Sequence, residues 1–229
     1  VTLRLDKGAV MAVRRALVVG ASRGLGLVLV TELDRRGWEV VATTRDGSVP
    51  REGMRTEQLE MTDDAQIAAL GDRVGGPLDL LFVNAAINQG NLPISEVPAT
   101  MFAEVMITNA LSPLRVLEGL HDLVAPGGTV AVMSSEQGSI SMNVEPGYEL
   151  YKASKAALNQ LMRSYATRHE ADGRTKLLID PGHNRTRLGG PDAPLLPEES
   201  VPAVVDVLEA QAGEPGLRFL DRFGEPVPW

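Results

Sequence analysis

Tyr151 and Lys155 stand four residues apart at the head of a helical run, Ala156-Ala157-Leu158-Asn159-Gln160-Leu161-Met162. Four residues make about one helical turn, so both side chains fall on one face. A free phenol has a pKa of about 10 and is a poor base at neutral pH. An ammonium beside it favours the phenolate and lowers that value. The pair is therefore equipped to give and take the proton of a carbonyl/alcohol couple. The spacing alone equally fits a half-buried tyrosine beside a solvated lysine, so the other parts of such a reaction must be sought elsewhere in the chain.

A second group of residues suits a phosphate. Arg15-Ala16-Leu17-Val18-Val19-Gly20 is a short apolar run ending on glycine, the pattern of a strand buried on both faces. Gly20-Ala21-Ser22-Arg23-Gly24-Leu25-Gly26 follows at once, then an apolar-periodic helix over Leu27 to Arg36. Strand, glycine turn and helix in that order give a backbone that approaches a pyrophosphate, with the free N–H groups of the helix start facing it. The spacing Gly-x-x-x-Gly-x-Gly differs from the Gly-x-Gly-x-x-Gly of the general dinucleotide fingerprint.

The next strand, Trp38 to Thr44, ends on Thr44 and Arg45. In dinucleotide folds an acidic residue at this tip holds the ribose 2′-hydroxyl. Here no carboxylate would repel a 2′-phosphate, and Arg45 could bind one bidentately, with Arg23 as a second cation. NADP is expected in preference to NAD, which stays possible; the alternative for Arg45 is a solvated loop arginine.

The elements that must position these groups alternate regularly. Thr56 to Met61 is a third strand, which would place Glu60 and Met61 beside an adenine; Thr62 or Asp63 caps a helix over Ala65 to Leu70. Pro77 to Asn84 is a fourth strand, and Asn84-Ala85-Ala86 ends it with an amide and small residues suited to close approach by a cofactor. A long helix is expected within Thr100 to Val124, stopped by Pro126-Gly127-Gly128. It holds Asn109, which spacing alone makes a locally bonded asparagine. Thr129 to Met133 is a fifth strand, with Ser134 and Ser135 at its carboxyl tip, the edge where open parallel sheets bind ligands. Lys176 to Asp180 is a sixth, broken by Pro181-Gly182. Leu188 to Glu199 is rich in glycine and proline and is expected to act as a lid. Glu198 to Gln211 is the last helix and Arg218 to Leu220 the last short strand. The βαβ alternation predicts one α/β domain, a doubly wound parallel sheet (Rossmann fold) with helices on both faces, over residues 15–229, with 188–200 as the substrate lid.

Composition narrows the function. The net charge of −8 over 229 residues argues against a nucleic-acid surface and against an anionic membrane. The absence of cysteine excludes disulfides, thiol catalysis and thiolate metal sites, and His121, His169 and His183 lack metal-ligand spacing, so no metal is expected. No apolar run is long enough to span a membrane. Residues 1–14 read as a flexible N-terminal extension without a signal-peptide core, and a cytoplasmic protein is the default expectation.

Taken together these motifs resemble the short-chain dehydrogenase/reductase family, over nearly the full chain. Gly20-x-x-x-Gly24-x-Gly26 is similar to its cofactor turn. Asn84-Ala85-Ala86 resembles its Asn-Ala-Gly segment, with Ala86 where glycine is usual. Asn109, Ser135, Tyr151 and Lys155 match its catalytic tetrad, Pro181-Gly182 its post-strand turn, and Thr186 the threonine that usually meets the nicotinamide carboxamide. Glu60 stands where an adenine-binding aspartate is usual. The Ser135-x-x-Gly138-Ser139-Ile140 loop and the ending Phe219 to Trp229 resemble the C-factor-like (C-signal-like) branch, although His183 replaces the tryptophan usual after Pro-Gly there.

The resemblance implies an NADP-dependent carbonyl/alcohol oxidoreductase. Tyr151 would be its acid/base, Ser135 would hold the carbonyl oxygen, Lys155 would lower the Tyr151 pKa and bond the nicotinamide ribose, and Asn109 would hold a water. It also implies a small-molecule carbonyl or alcohol substrate and a homodimer or homotetramer. The alternative is a nucleotide-binding signalling or regulatory protein of the same fold with little turnover.

Overall fold

The computed structural model describes residues 13–229. Most of the expected N-terminal extension lies outside the described residues. Seven strands form one parallel sheet: β1 (Arg15–Val19), β2 (Glu39–Thr44), β3 (Arg55–Gln58), β4 (Leu78–Val83), β5 (Val124–Met133), β6 (Thr175–Asp180) and β7 (Gly216–Asp221), in the order β3-β2-β1-β4-β5-β6-β7. The chain winds outward from β1 in one direction and from β4 in the other. The reversal leaves a crevice at the carboxyl ends of β1 and β4, where such sheets take ligands. β1 and β4 are nearly continuous apolar runs because both of their faces are covered, and β6 is buried along its whole length.

Among the described residues six α-helices cover the sheet: α1 (Gly24–Arg35), α2 (Asp64–Val74), α3 (Ala99–Met106), α4 (Ser112–Leu120), α5 (Glu149–Arg168) and α6 (Pro197–Gln211). Side chains from successive strand residues point to opposite faces, so two cores result. Leu17, Leu81, Val130 and Leu178 pack on one side with Leu70, Leu117, Leu158 and Met162 of the helices. Val18, Phe82, Ala131 and Ile179 pack on the other with Leu29, Leu33, Val201 and Val204. Each fully buried aliphatic or aromatic side chain contributes about 1.5–3 kcal/mol. No helix among the described residues is long and apolar enough to cross a membrane.

Four parts of the chain depart from the sequence reading. The long helix expected over 100–124 is two α-helices joined by a π-helical turn, Ile107–Leu111, with Asn109 fully buried at its centre. α4 ends at Leu120, and Pro126-Gly127-Gly128 lies inside β5, where the pairing with β4 shifts register. The apolar periodicity runs through the break because a π-turn adds one residue without interrupting the buried face. β3 ends at Gln58, so Glu60 and Met61 lie in the turn before α2, which Asp63 caps by accepting from the Ala65 and Gln66 N–H groups. In the stretch expected as a lid, Pro197 to Ser200 is the first turn of α6. Ser200 is buried there and donates to Asn184 Oδ1 at 2.6 Å.

Candidate active site

The carboxyl ends of the strands open into a cleft of about 540 Å³. Of the residues expected to form a site, Gly20, Ser22, Arg23, Gly24, Leu25, Thr44, Arg45, Glu60, Met61, Asn84, Ala85, Ala86, Ser135, Tyr151, Lys155, Pro181, Gly182 and Thr186 line it; Gly26 and Asn109 stand behind its wall.

The glycine turn is held from three directions. Gly20 has φ +89°, its N–H donates to Thr43 Oγ1 at 3.1 Å, and its carbonyl accepts from Asn84 Nδ2 at 2.8 Å. A Cβ there would stand 2.6 Å from that of Ala85, so only glycine lets β1 and β4 close at their tips. A Cβ on Gly26 would run into the Gly20 carbonyl; that glycine seats α1 against the turn. Arg23, extended at the N-cap, puts no capping side chain over the start of α1. The first N–H groups of α1 therefore lack side-chain acceptors and favour an anion. Thr186 reaches across the cleft, its methyl 3.3 Å from where a Cβ of Gly24 would be.

At the tip of β2, Thr44 Oγ1 donates to the Ser48 carbonyl at 2.9 Å. Arg45 and Arg23 are exposed at the cleft wall, and among the described residues neither guanidinium forms an ion pair. Glu60 Oε1 accepts from the N–H and hydroxyl of Thr62, and the Glu60 N–H donates to Gln66 Oε1 at 2.9 Å, which fixes the turn on the opposite side of this region.

Ser135, Tyr151 and Lys155 line the same cleft. Ser135 sits just past the end of β5, its Oγ accepting the Gln137 N–H at 3.2 Å. Lys155 is 2% exposed, with Nζ 5.8 Å from the Tyr151 ring centre and donating to the Met133 carbonyl at 2.9 Å. Desolvation lowers its pKa to about 8. The expected depression of the Tyr151 pKa is not what this geometry gives. Burial, and secondarily the Asp180 carboxylate, push the phenol above its ordinary value, while the ammonium is engaged by Met133. Tyr151 is thus held as a phenol at neutral pH.

Asn109 is bonded on two sides. Its Oδ1 accepts the Ile87 N–H and its Nδ2 donates to the Ile87 carbonyl, both at 2.8 Å, which clamps the strand tip after Asn84. The same Nδ2 donates to Ser154 Oγ at 3.0 Å, and that hydroxyl donates to the Tyr151 carbonyl at 2.7 Å. The π-turn aims the amide at both the β4 loop and the head of α5.

Sequence reasoning missed three participants. Ser154 is one. Asn184, 4% exposed, is another: its Nδ2 donates to the carbonyls of Pro181 and Gly182, both at 2.9 Å, pinning the turn after β6. The third is Asp180, 6% exposed at the tip of β6, whose Oδ1 accepts the Glu136 N–H at 3.1 Å. Burial raises its carboxyl to about 6 against the help of the Glu136 and Gly182 N–H groups. A polar residue ending an apolar strand run was the one available signal. His183 lines the cleft but is exposed, its Nε2 2.7 Å from the Gly189 carbonyl.

A family model described as short chain dehydrogenase matches residues 14–193. A structure from Burkholderia multivorans, assigned to the short-chain dehydrogenase/reductases and solved with bound NADP, is 48% identical, with a TM-score of 0.91, and the match covers 94% of this chain and 99% of that one. A carbonyl reductase from Pseudomonas aeruginosa PAO1 in complex with NADP is 36% identical, with a TM-score of 0.85, over 95% and 100% of the two chains. C-signal of Myxococcus xanthus is 35% identical over 156 residues, 67% of this chain and 94% of its own length.

Proposed function

The chain belongs to the short-chain dehydrogenase family, in its C-signal-like branch, and from that premise we propose that it is an NADP(H)-dependent oxidoreductase interconverting a small carbonyl compound and its alcohol. The observation that carries this reading is the convergence of Ser135, Tyr151 and Lys155 with the open start of α1 and its glycine turn in one cleft.

The residues present fit a dinucleotide. The glycine cradle and the uncapped α1 would hold the pyrophosphate, the unpaired Arg23 and Arg45 a 2′-phosphate, and Pro181, Gly182 and Thr186 the nicotinamide end. When bound, that cofactor supplies or accepts the hydride at the carbonyl carbon. Ser135 Oγ then holds the carbonyl oxygen beside Tyr151, and Tyr151 gives its phenolic proton to that oxygen as negative charge develops there. Lys155, moderated to about 8, supplies positive charge to the phenolate left behind. Asn109 keeps Tyr151 and the β4 loop in register.

The test is substrate-dependent NADPH oxidation across aldehydes and ketones. Tyr151→Phe is expected to lower kcat/KM by about 10²–10⁴-fold while NADPH binding, read by fluorescence, is kept. Turnover at the wild-type rate in that variant would overturn the assignment. NADPH should bind more tightly than NADH, and Arg45→Ala should erode that difference. The relative named C-signal keeps a second reading in view, a nucleotide-bound signalling protein; NADPH binding without oxidation across the panel is its signature. A homodimer or homotetramer would bury Phe102, Ile107, Leu111 and Leu161, exposed on α3, the π-turn and α5; sedimentation equilibrium measures it.

A further inference from the structure

The cleft does not end at Tyr151. A second chamber of about 390 Å³ shares Glu136, Asp180, Gly182 and His183 with it, so the tip of β6 lines both. The apolar part of its wall comes from Met142, Pro194, Leu195, Pro226, Val227 and Pro228. Its charge is one-sided: Glu136, Asp180, Asp221 and Glu225 bring carboxylates, against the single guanidinium of Arg222.

The four acids are not equivalent. Asp221 Oδ1 accepts the N–H groups of Phe223 and Glu225, at 2.8 and 2.9 Å, and so builds the turn after β7. Glu136 and Glu225 are exposed to water. Asp180 alone is buried, set beside Asp221 by the register of β6 on β7, with main-chain N–H donors and no cation at ion-pair distance among the described residues. Arg222 does not neutralise it: that guanidinium lies against Gly182 and over the Phe223 ring, 4.3 Å from its centre. A carboxylate buried without a counter-ion is under-compensated, and a cation brought to it restores what desolvation removed.

We propose that Asp180 is a specificity-determining residue and that the favoured substrates are carbonyl compounds bearing a protonated amine on an apolar body. The carbonyl lies at Ser135 and Tyr151, the apolar body against Met142 and Leu195, and the ammonium at Asp180, with Glu136 adding long-range attraction. The proposal rests on the reductase reading above. It carries a proton linkage: Asp180, raised to about 6, holds a cation above that pH and releases it below. The titratable and charged groups around it are Glu136 after β5, Tyr151 of α5, His183 on the partition, and Asp221, Arg222 and Glu225 after β7.

The probes are three aldehydes of one shape: 4-(dimethylaminomethyl)benzaldehyde, 4-methylbenzaldehyde and 4-carboxybenzaldehyde. Turnover of the neutral member reports the reductase reading by itself. The ammonium member should have a kcat/KM about tenfold above the neutral one and further above the carboxylate. Asp180→Asn, which keeps the acceptor for Glu136, should collapse that ratio, and Glu136→Gln should lower it less. The KM of the ammonium member should rise below about pH 6 in the wild type and not in Asp180→Asn. Equal kcat/KM for the ammonium and neutral members, or preference for the carboxylate, overturns the proposal while leaving the reductase reading intact. If none is turned over, calorimetry of benzyldimethylamine against benzyl alcohol and benzoate on the NADP-bound protein decides it. Preferential amine binding lost in Asp180→Asn supports the site, and its absence overturns it.

Discussion

A carboxyl group whose pKa stands at about 6 in the folded protein, against an ordinary 3.8, binds more protons folded than unfolded between those values. Asp180 therefore makes the fold less stable as pH rises through this window, by roughly 2–3 kcal/mol once fully ionised. Asp180→Asn is expected to raise Tm at neutral pH, with the advantage shrinking as pH falls toward 4; a thermal melt at pH 7.5 and pH 4.5 measures it. No such cost was visible in the sequence, where Asp180 merely ended an apolar run. Tyr151, Lys155 and Ser135 were legible because a helix turn and a strand tip place them, and the resemblance to the family singled them out. Asp180, Asn184 and Ser154 take their roles from strands and loops far apart in the chain: β6 on β7, α6 under the Pro181 turn, and the π-turn against α5. Periodicity reports which face is buried and says nothing of what a buried polar group will meet there.

Helices α1 and α6, which cover one face of the sheet, are joined by ions as well as by apolar packing. Arg36, at the end of α1, bonds Glu32 at 2.7 Å, Asp206 at 2.7 Å, Glu209 at 2.8 Å and the Pro202 carbonyl at 3.0 Å. The Arg35 hydrogen bond is the main cause that holds Glu32 at about 2 against burial, with Arg36 assisting. A carboxylate so depressed contributes stability that is full above its ordinary value of 4.5 and is lost as pH falls toward 2. Arg36→Ala strands the 9%-exposed Glu32 side chain with one exposed partner, and is expected to cost about 2–4 kcal/mol, read by urea unfolding. The end of α1, the start of α5, both ends of α6 and the strands β1, β2, β4 and β6 were close to legible, since glycine stops and apolar runs mark them. The α3–α4 break was not, because a π-turn leaves the apolar stripe continuous, and the extension of β5 back to Val124 was hidden by a proline and two glycines that read as a stop.

The whole molecule puts its chemistry on one edge of a sheet cored on both faces. β1, β4 and β5 have strand neighbours on either side and helices above and below, while β3 and β7 are the outer strands. Backbone amides of the three central strands are expected to exchange with solvent only through global unfolding, and those of β3 and β7 earlier; deuterium exchange followed by mass spectrometry resolves the order. The rod of α3 and α4 lies across one of these cores, and its five-residue wide turn, Ile107–Leu111, serves the fold and the site at once. Deleting one residue there would put Pro113, which has no N–H to donate, inside a single helix and would turn α3 by about 100° against α4. Asn109 would then no longer reach both Ile87 and Ser154. The same extra residue that absorbs a proline also aims an amide, so a chain shortened there would lose stability and turnover together.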